Sequence, residues 1–104
     1  MHPRIDIKKI RERYFNYGVS IGDADERYTR QGLRSIAECL HDAATALGLH
    51  FKVAAISYEG RLLGHYYVAN MEHQTLALAE TLLGKLASLA DAGMHGLQGR
   101  AVSV

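Results

Sequence analysis

Residues 51–70, FKVAAISYEGRLLGHYYVAN, constrain the fold most strongly, because they predict a β-hairpin in which both faces are apolar. Glu59-Gly60 lies at the centre and suits a two-residue turn. The cross-strand pairs that this turn predicts are Tyr58 with Arg61, Ile56 with Leu63, and Val53 with Tyr66. Two strands alone are marginally stable in water, so the hairpin requires further strands or a covering surface.

Side-chain alternation divides the hairpin between two faces. The face expected in the core carries Phe51, Val53, Ala55, Leu62, Tyr66 and Val68. The other face carries Lys52, Ala54, Ile56, Tyr58, Leu63, His65 and Tyr67. A solvated face normally has more charge, and strand edges without proline are open to pairing with another chain. The second face is therefore expected to meet another surface.

The N-terminal segment has apolar residues at helical spacing. A first helix is predicted over Arg4 to Tyr17, and its apolar stripe consists of Ile7, Ile10, Tyr14 and Tyr17. The alternation of Ile5 and Ile7 also allows a short strand at the start of this segment.

A second helix is predicted from a capping box formed by Asp23 and Glu26 to Leu47, with Gly48 as a left-handed stop. Its inner face is expected to consist of Leu33, Ile36, Ala37, Leu40, Ala43, Ala44 and Leu47.

A third helix is predicted from Glu72 to Ala92. Its leucines spread over about half the circumference, which exceeds the stripe that a helix packed on one layer requires. The side away from these leucines has the small residues Ala77, Thr81, Gly84 and Ser88, which permit close approach of a neighbour.

These elements predict one small α+β domain over residues 1–92, in the order helix–helix–β-hairpin–helix. The helices are expected to pack on one face of a small antiparallel sheet. Residues 93–104 form a Gly-rich tail that we expect to be irregular. A chain of 104 residues with 48% apolar and 22% charged residues has the composition of one folded domain.

The sequence predicts a cytoplasmic protein that does not associate with membranes. Cys39 is the only cysteine, so an intrachain disulfide cannot form. No apolar run reaches the roughly 20 residues needed to span a bilayer, and the N-terminus, MHPRIDIKKI, does not resemble a signal peptide.

Basic residues in the first third of the chain raise the alternative of nucleic-acid binding. They are Lys8, Lys9, Arg11 and Arg13 in the first segment, and Arg27, Arg30 and Arg34 in the second predicted helix. Acidic residues four positions away offer helical ion-pair partners to the three arginines, so this stripe also fits a solvated helix face.

Catalytic and metal-binding patterns are weak. Glu38 and His41 have the Glu-x-x-His spacing of di-iron bundles, but the second such pair is missing from the sequence. Cys39 is expected to be a half-buried structural thiol. The sequence therefore predicts no enzyme activity, no cofactor and no metal site.

The function that we expect from the sequence is a non-enzymatic interaction or regulatory module that acts as a homodimer. The predicted interface comprises the leucine-rich last helix and the hairpin residues Ile56, Tyr58, Leu63, His65 and Tyr67. There are two structural alternatives. The second face of the hairpin is covered by other residues of the same chain, or it is covered by a different protein. A nucleic-acid-binding regulator and a small ligand-binding or catalytic site near His65 and Tyr67 are the functional alternatives.

Overall fold

The computed structural model describes residues 2–22, 28–48 and 50–94, with side chains up to residue 89. The elements in chain order are β1 (Pro3–Arg11), β2 (Tyr14–Ile21), β3 (Tyr28–Leu33), α1 (Ile36–Leu47), β4 (Val53–Tyr58), β5 (Arg61–Tyr67), α2 (Val68–His73) and α3 (Thr75–Met94). The prediction of a small α+β domain is confirmed. None of the helices within these ranges is both long enough and apolar enough to span a membrane.

The strands form one five-stranded mixed sheet in the order β3-β2-β1-β4-β5. Strand β1 lies in the middle, parallel to β4 and antiparallel to β2, and the two remaining pairs are antiparallel. The predicted hairpin is therefore one side of a larger sheet, and β3 and β5 are its edges.

The predicted first helix is wrong, because residues 4–17 lie in β1, a turn and β2. The strand alternative was correct for the start of this segment: Ile5 and Ile7 are buried while Arg4 is exposed, which is the two-residue period of a strand. Ile10, which was predicted on the helical stripe, is 52% exposed. Tyr17 lies beside Ile7 as its cross-strand partner in β2.

The second predicted helix begins later than expected. Residues 28–33 form β3, and α1 starts only at Ile36. The helix is capped by Ser35, whose hydroxyl accepts the Glu38 backbone N–H at 3.1 Å. The predicted capping residues Asp23 and Glu26 lie outside the described residues.

The end of α1 also differs from the prediction. Gly48 has φ −58°, so it is right-handed and is not the predicted left-handed stop. The helix nevertheless ends near Leu47, and most of its predicted inner face is buried. The buried residues of α1 are Ile36, Cys39, Leu40, Ala43, Ala44 and Leu47.

The third predicted helix is divided into α2 and α3, with a break at Gln74. The hydroxyl of Thr75, the first residue of α3, donates to the Met71 carbonyl at 2.6 Å. Residues 93 and 94 of the predicted irregular tail belong to α3, and residues 95–104 lie outside the described residues.

The hairpin turns at Glu59-Gly60, as predicted, and Tyr58 pairs with Arg61. The two other predicted pairs are wrong, because the register shifts by one residue between positions 56 and 57. The observed pairs are Ile56 with Gly64 and Val53 with Tyr67. Gly64 has φ +135°, a conformation that L-residues rarely adopt, and it accommodates the bulge.

The two faces of the hairpin are exchanged relative to the prediction in β4 and at Leu62 and Leu63. Beyond the bulge the prediction holds: Tyr66 and Val68 lie on the core side, and His65 and Tyr67 are exposed on the other side. Ile56 is fully buried in the core, whereas Leu62, which was expected there, is 52% exposed. The reason is β1, in which Ile5 lies beside Ile56 and Ile7 beside Tyr58. These neighbours place Ile56 on the face where α1 packs, which we call the helix face.

The other face of the sheet, which we call the open face, is largely polar. Strand register and alternation assign to it Arg4, Asp6, Lys8, Asn16, Gly18, Ser20, Thr29, Gln31, Val53, Ala55, Ser57, Leu62, His65 and Tyr67. Of these, only Gly18, Ala55 and Ser57 are buried. The core cluster of the described residues contains no member of the open face.

Candidate functional site

Of the predicted interface residues, only His65 and Tyr67 are exposed. Ile56 and Leu63 belong to the core, and Tyr58 packs against it. The exchange of faces in β4 explains the positions of Ile56 and Tyr58 on the core side, and the bulge explains that of Leu63. An interface on this side of the molecule therefore cannot rest on Ile56, which is fully buried.

A groove lies between the edge strand β5 and the helix α3, and we call it the β5 groove. It has a volume of about 460 Å³ and is lined by Leu62, Leu63, Thr81, Gly84, Lys85, Ser88 and Leu89. Leu62 and Leu89 are 52% and 37% exposed. A Cβ atom added at Gly84 would meet no atom within 4 Å, so the groove is open above this residue. The groove thus brings the small-residue side of α3 beside exposed leucines.

Lys85 is the one charged residue that lines the groove. Its Nζ donates to the Leu63 carbonyl at 3.0 Å and to the Tyr66 hydroxyl at 2.9 Å. The Tyr66 hydroxyl in turn donates to the same Leu63 carbonyl at 2.8 Å. The bulge leaves this carbonyl available, and these bonds satisfy it. Sequence reasoning missed this contact, because 22 residues separate Lys85 from Leu63 and no local pattern links them.

Other exposed apolar residues lie outside the groove. Leu76 and Leu83 are 73% and 53% exposed, and their spacing of seven residues places them on one stripe of α3. Neither residue lines the β5 groove. They offer a control for any test of that surface.

The basic residues proposed for nucleic-acid binding do not form one surface. Lys8 lies on the open face, whereas Arg30 is on the helix face, 3.8 Å from Asp42. Lys9 bonds Glu12 at 2.7 Å, and this bond raises the pKa of Lys9 and lowers that of Glu12.

The remaining members of this set are also dispersed. Arg11 stacks over the ring of Tyr14 at 4.5 Å from its centroid, and Arg13 lies in the turn between β1 and β2. Arg34 follows β3, and its backbone N–H, rather than its guanidinium, donates to Glu38. Arg27 lies outside the described residues.

One further side chain lies near His65 and Tyr67, where the sequence suggests a small ligand-binding or catalytic site as an alternative. The ring of His2 lies 6.0 Å from that of His65 on the open face. Within residues 2–22, 28–48 and 50–89, no three His, Cys, Asp or Glu side chains are grouped to hold a metal ion, and Glu38 and His41 gain no further ligand.

Cys39 is fully buried, not half-buried as expected. Burial raises the pKa of its thiol to about 12, with a smaller contribution from the negative charges of Asp42 and Glu38. The thiol is therefore protonated at neutral pH and is a poor nucleophile.

A polar network on the open face joins β1 to the β4–β5 turn. Oδ1 of Asp6 accepts the Ser57 hydroxyl at 2.6 Å and the Gly60 backbone N–H at 3.0 Å. Arg4 donates to the Ser57 hydroxyl oxygen and to the Gly60 carbonyl, both at 3.2 Å. Ser57 is fully buried, so this network fixes the position of Asp6 on the face.

Comparisons of the chain with protein-family models, with curated proteins and with solved structures give no match. The β5 groove combines exposed leucines with a recess of small residues, and the open face combines polar side chains with a fixed carboxylate. A function must therefore be inferred from their shape and chemistry.

Proposed function

We propose that this chain is a small, non-enzymatic interaction module that acts as a homodimer, and that two copies meet through the β5 groove. The observation that carries this proposal is the position of the exposed Leu62 and Leu89 around an open groove at Gly84, next to an edge strand. Contiguous apolar surface of this kind is a feature of protein–protein interaction sites.

The shape of this surface supports a second copy as the occupant. A two-fold symmetric interface uses the same surface on both subunits, so the surface must be complementary to itself. The β5 groove has a protruding part, Leu62, and a recessed part of small residues, Thr81, Gly84 and Ser88. In the proposed dimer, Leu62 of each copy enters the recess of the other.

The strand edge supports the same location. Strand β5 contains neither lysine nor proline, the residues that commonly protect an edge. The bulge at Gly64 interrupts the strand, however, and bulges disfavour long continuous ladders. We therefore place the contact in the groove and not along a sheet that continues from one copy into the other.

The charge of the groove supports an apolar contact. Lys85 is its one charged lining residue, and its ammonium group already bonds Leu63 and Tyr66 of the same chain. The ammonium group of Lys85 is therefore hydrogen-bonded within its own chain, although both of its partners are neutral. An association of this kind depends little on salt. We also propose a cytoplasmic location, which the single cysteine and the lack of an intrachain disulfide support.

The proposal is tested with Leu62→Asp, which places a charge at the centre of the contact. Leu76→Asp is the matched control, because Leu76 is also an exposed leucine but lies outside the groove. Gly84→Leu places a side chain in the recess, and its Cβ would meet no atom of the single chain within 4 Å. Each variant is examined by sedimentation equilibrium over a range of protein concentrations.

We expect Leu62→Asp and Gly84→Leu to weaken dimerisation at least about 100-fold, which corresponds to the roughly 3 kcal/mol of a central interface residue. Leu76→Asp is expected to dimerise like the wild type. A wild-type chain that is monomeric at all concentrations contradicts the proposal. Equal weakening by Leu62→Asp and Leu76→Asp contradicts the location in the groove.

A further inference from the structure

The segment of β5 that presents Leu62 is the part of the strand where the regular ladder is interrupted. Leu62 pairs with Ser57 on β4. Gly64 pairs with the preceding residue of β4, Ile56, so Leu63 is the extra residue of the bulge and has no partner. Strand β5 is also an edge strand, and Gly64 permits backbone conformations that other residues do not. The ladder alone therefore holds this segment less firmly than a regular inner strand.

The side chain of Lys85 holds the same segment against α3. Its Nζ donates to the Leu63 carbonyl at 3.0 Å and to the Tyr66 hydroxyl at 2.9 Å. The Tyr66 hydroxyl donates to the same carbonyl at 2.8 Å, so three groups bond one another, and we call this set the Lys85 clamp. Among the described residues, no other hydrogen bond joins α3 to β5. The clamp therefore ties together the two walls of the β5 groove.

The surroundings of the clamp show what fixes it. Lys85 is exposed, so its hydrogen bonds, rather than packing, fix the position of its ammonium group. Hydrogen bonds from a charged donor are stronger than those between neutral groups. The Nζ also lies 5.4 Å from the centroid of the Tyr66 ring, within the roughly 6 Å at which a ring attracts a cation. The Tyr66 ring packs against the core, so the clamp anchors the bulge to a fixed side chain.

A clamp at this position affects how a second copy would bind. Leu62, which enters the recess of the other copy in the proposed dimer, is next to the clamped Leu63 in the chain. Ordering a loose segment at the moment of binding costs free energy, and this cost disappears when the segment is already ordered in the single chain. The clamp thus prepares Leu62 for the contact.

We propose that Lys85 is a positioning residue of the β5 groove, which orders the Leu62 segment of the single chain in the conformation that a second copy binds. This inference rests on the proposed homodimer. The simpler alternative is that Lys85 only lines the groove. Both hydrogen-bond partners of its ammonium group are neutral, so covering this charge with a second copy costs free energy. Loss of the charge would then strengthen dimerisation, whereas loss of the clamp would weaken it.

The two roles are distinguished by Lys85→Met, because methionine keeps an unbranched apolar side chain and removes the ammonium group. Glu80→Met is the matched control, since Glu80 is also a charged, exposed residue of α3 but does not line the groove. Dimerisation is measured by sedimentation equilibrium. We expect Lys85→Met to dimerise at least about 10-fold more weakly, because ordering the segment on binding has a cost of that order. Glu80→Met is expected to dimerise like the wild type.

A second measurement examines the clamp in the single chain. Hydrogen exchange of the wild type and of Lys85→Met is followed by mass spectrometry at a protein concentration at which both chains are monomeric. We expect the amides of residues 61–66 to exchange about 10-fold faster in Lys85→Met, because local opening of the segment becomes easier. The amides of β1 and β2 are expected to exchange at unchanged rates. A general loss of stability would instead accelerate exchange in all of these strands.

Dimerisation of Lys85→Met that equals or exceeds that of the wild type would overturn the positioning role and leave the proposed dimer intact. Unchanged exchange of residues 61–66 in the monomeric variant would also overturn the positioning role alone. A wild-type chain that is monomeric at all concentrations would overturn both proposals.

Discussion

The hydroxyl of Tyr17 joins the sheet to the first helix. It donates to Oδ2 of Asp42 at 2.6 Å, and Arg30 lies 3.8 Å from the same oxygen. Burial first, and then this hydrogen bond, raise the pKa of Tyr17 far above its ordinary value. The side chain of Tyr17 is almost fully buried, so its hydroxyl depends on this one carboxylate.

We expect Tyr17→Phe to lower the free energy of unfolding by about 1.5 kcal/mol, because a hydrogen bond to a charged group contributes about that much. Tyr14→Phe is the matched control, since the Tyr14 hydroxyl forms no hydrogen bond with the described residues and its ring keeps the contact with Arg11. Urea denaturation of both variants measures the difference. Equal loss of stability in the two variants would contradict the role of the Asp42 bond.

Cys39 makes stability depend on pH in the alkaline range. Its pKa is about 12 in the folded chain, whereas the exposed thiol of the unfolded chain ionises near its ordinary value of 9.0. Above pH 9 the unfolded state therefore binds fewer protons than the folded state, and stability falls as pH rises. We expect this thiol to contribute a slope that approaches about 1.4 kcal/mol per pH unit between its two pKa values.

Cys39→Ala tests this prediction by denaturation between pH 8 and pH 10, in comparison with the wild type, because the tyrosines that begin to ionise in this range contribute to both chains alike. The variant is expected to be about 1 kcal/mol less stable at neutral pH, because it loses buried sulfur contacts. Its stability is also expected to fall less steeply with pH than that of the wild type. Identical slopes would show that the thiol does not titrate on unfolding.

At the scale of the elements, the β4–β5 hairpin depends on two glycines in different ways. Glu59 and Gly60 both have positive φ, as a type I′ turn requires. Gly64 has φ +135° at the bulge, and a Cβ there would lie 3.0 Å from the Tyr66 hydroxyl. This hydroxyl bonds Leu63 and Lys85, so it cannot move without breaking those bonds.

We expect Gly64→Ala to destabilise the fold by about 2 to 3 kcal/mol, through backbone strain and the clash with Tyr66. Gly60→Ala is expected to lose only about 1 kcal/mol, because its Cβ would meet nothing within 4 Å. Thermal denaturation of the two variants gives the comparison. A larger loss for Gly60→Ala would mean that the bulge is not constrained as described.

The sequence predicts some of these elements and not others. Helix α1 is recognisable from about Ile36 onward, because Leu40 and Leu47 recur at helical spacing. The sequence allows strand β1 only as an alternative to a helix, because Ile7 and Ile10 also fit a helical spacing, although only Ile7 is buried. Strand β3 has little side-chain alternation, and its strand conformation depends on pairing with β2.

The candidate surfaces were harder to predict than the elements. Ala54 and Ala55 are equally apolar, so the hairpin alone does not show which of its faces is in the core. The neighbouring strand β1 decides which face of the hairpin is in the core, although its residues lie more than 45 positions from β4 in the sequence. The small-residue side of α3 was recognisable from sequence, but its position beside Leu62 depends on tertiary structure.

At the scale of the whole molecule, the sheet separates two surfaces with different chemistry. The helix face holds the core, and the β5 groove lies where α3 meets the edge of the sheet. The open face is polar on its β1–β3 side, away from the groove. Dimerisation through the groove therefore leaves the open face of β1–β3 accessible.

The homodimer is tested most directly by the solution mass of the wild-type chain, measured by light scattering at low salt and at about 1 M salt. We predict twice the chain mass of 11.5 kDa at both salt concentrations, because the proposed contact is apolar. A mass of 11.5 kDa under both conditions, or a dimer that dissociates at high salt, would contradict association through the β5 groove.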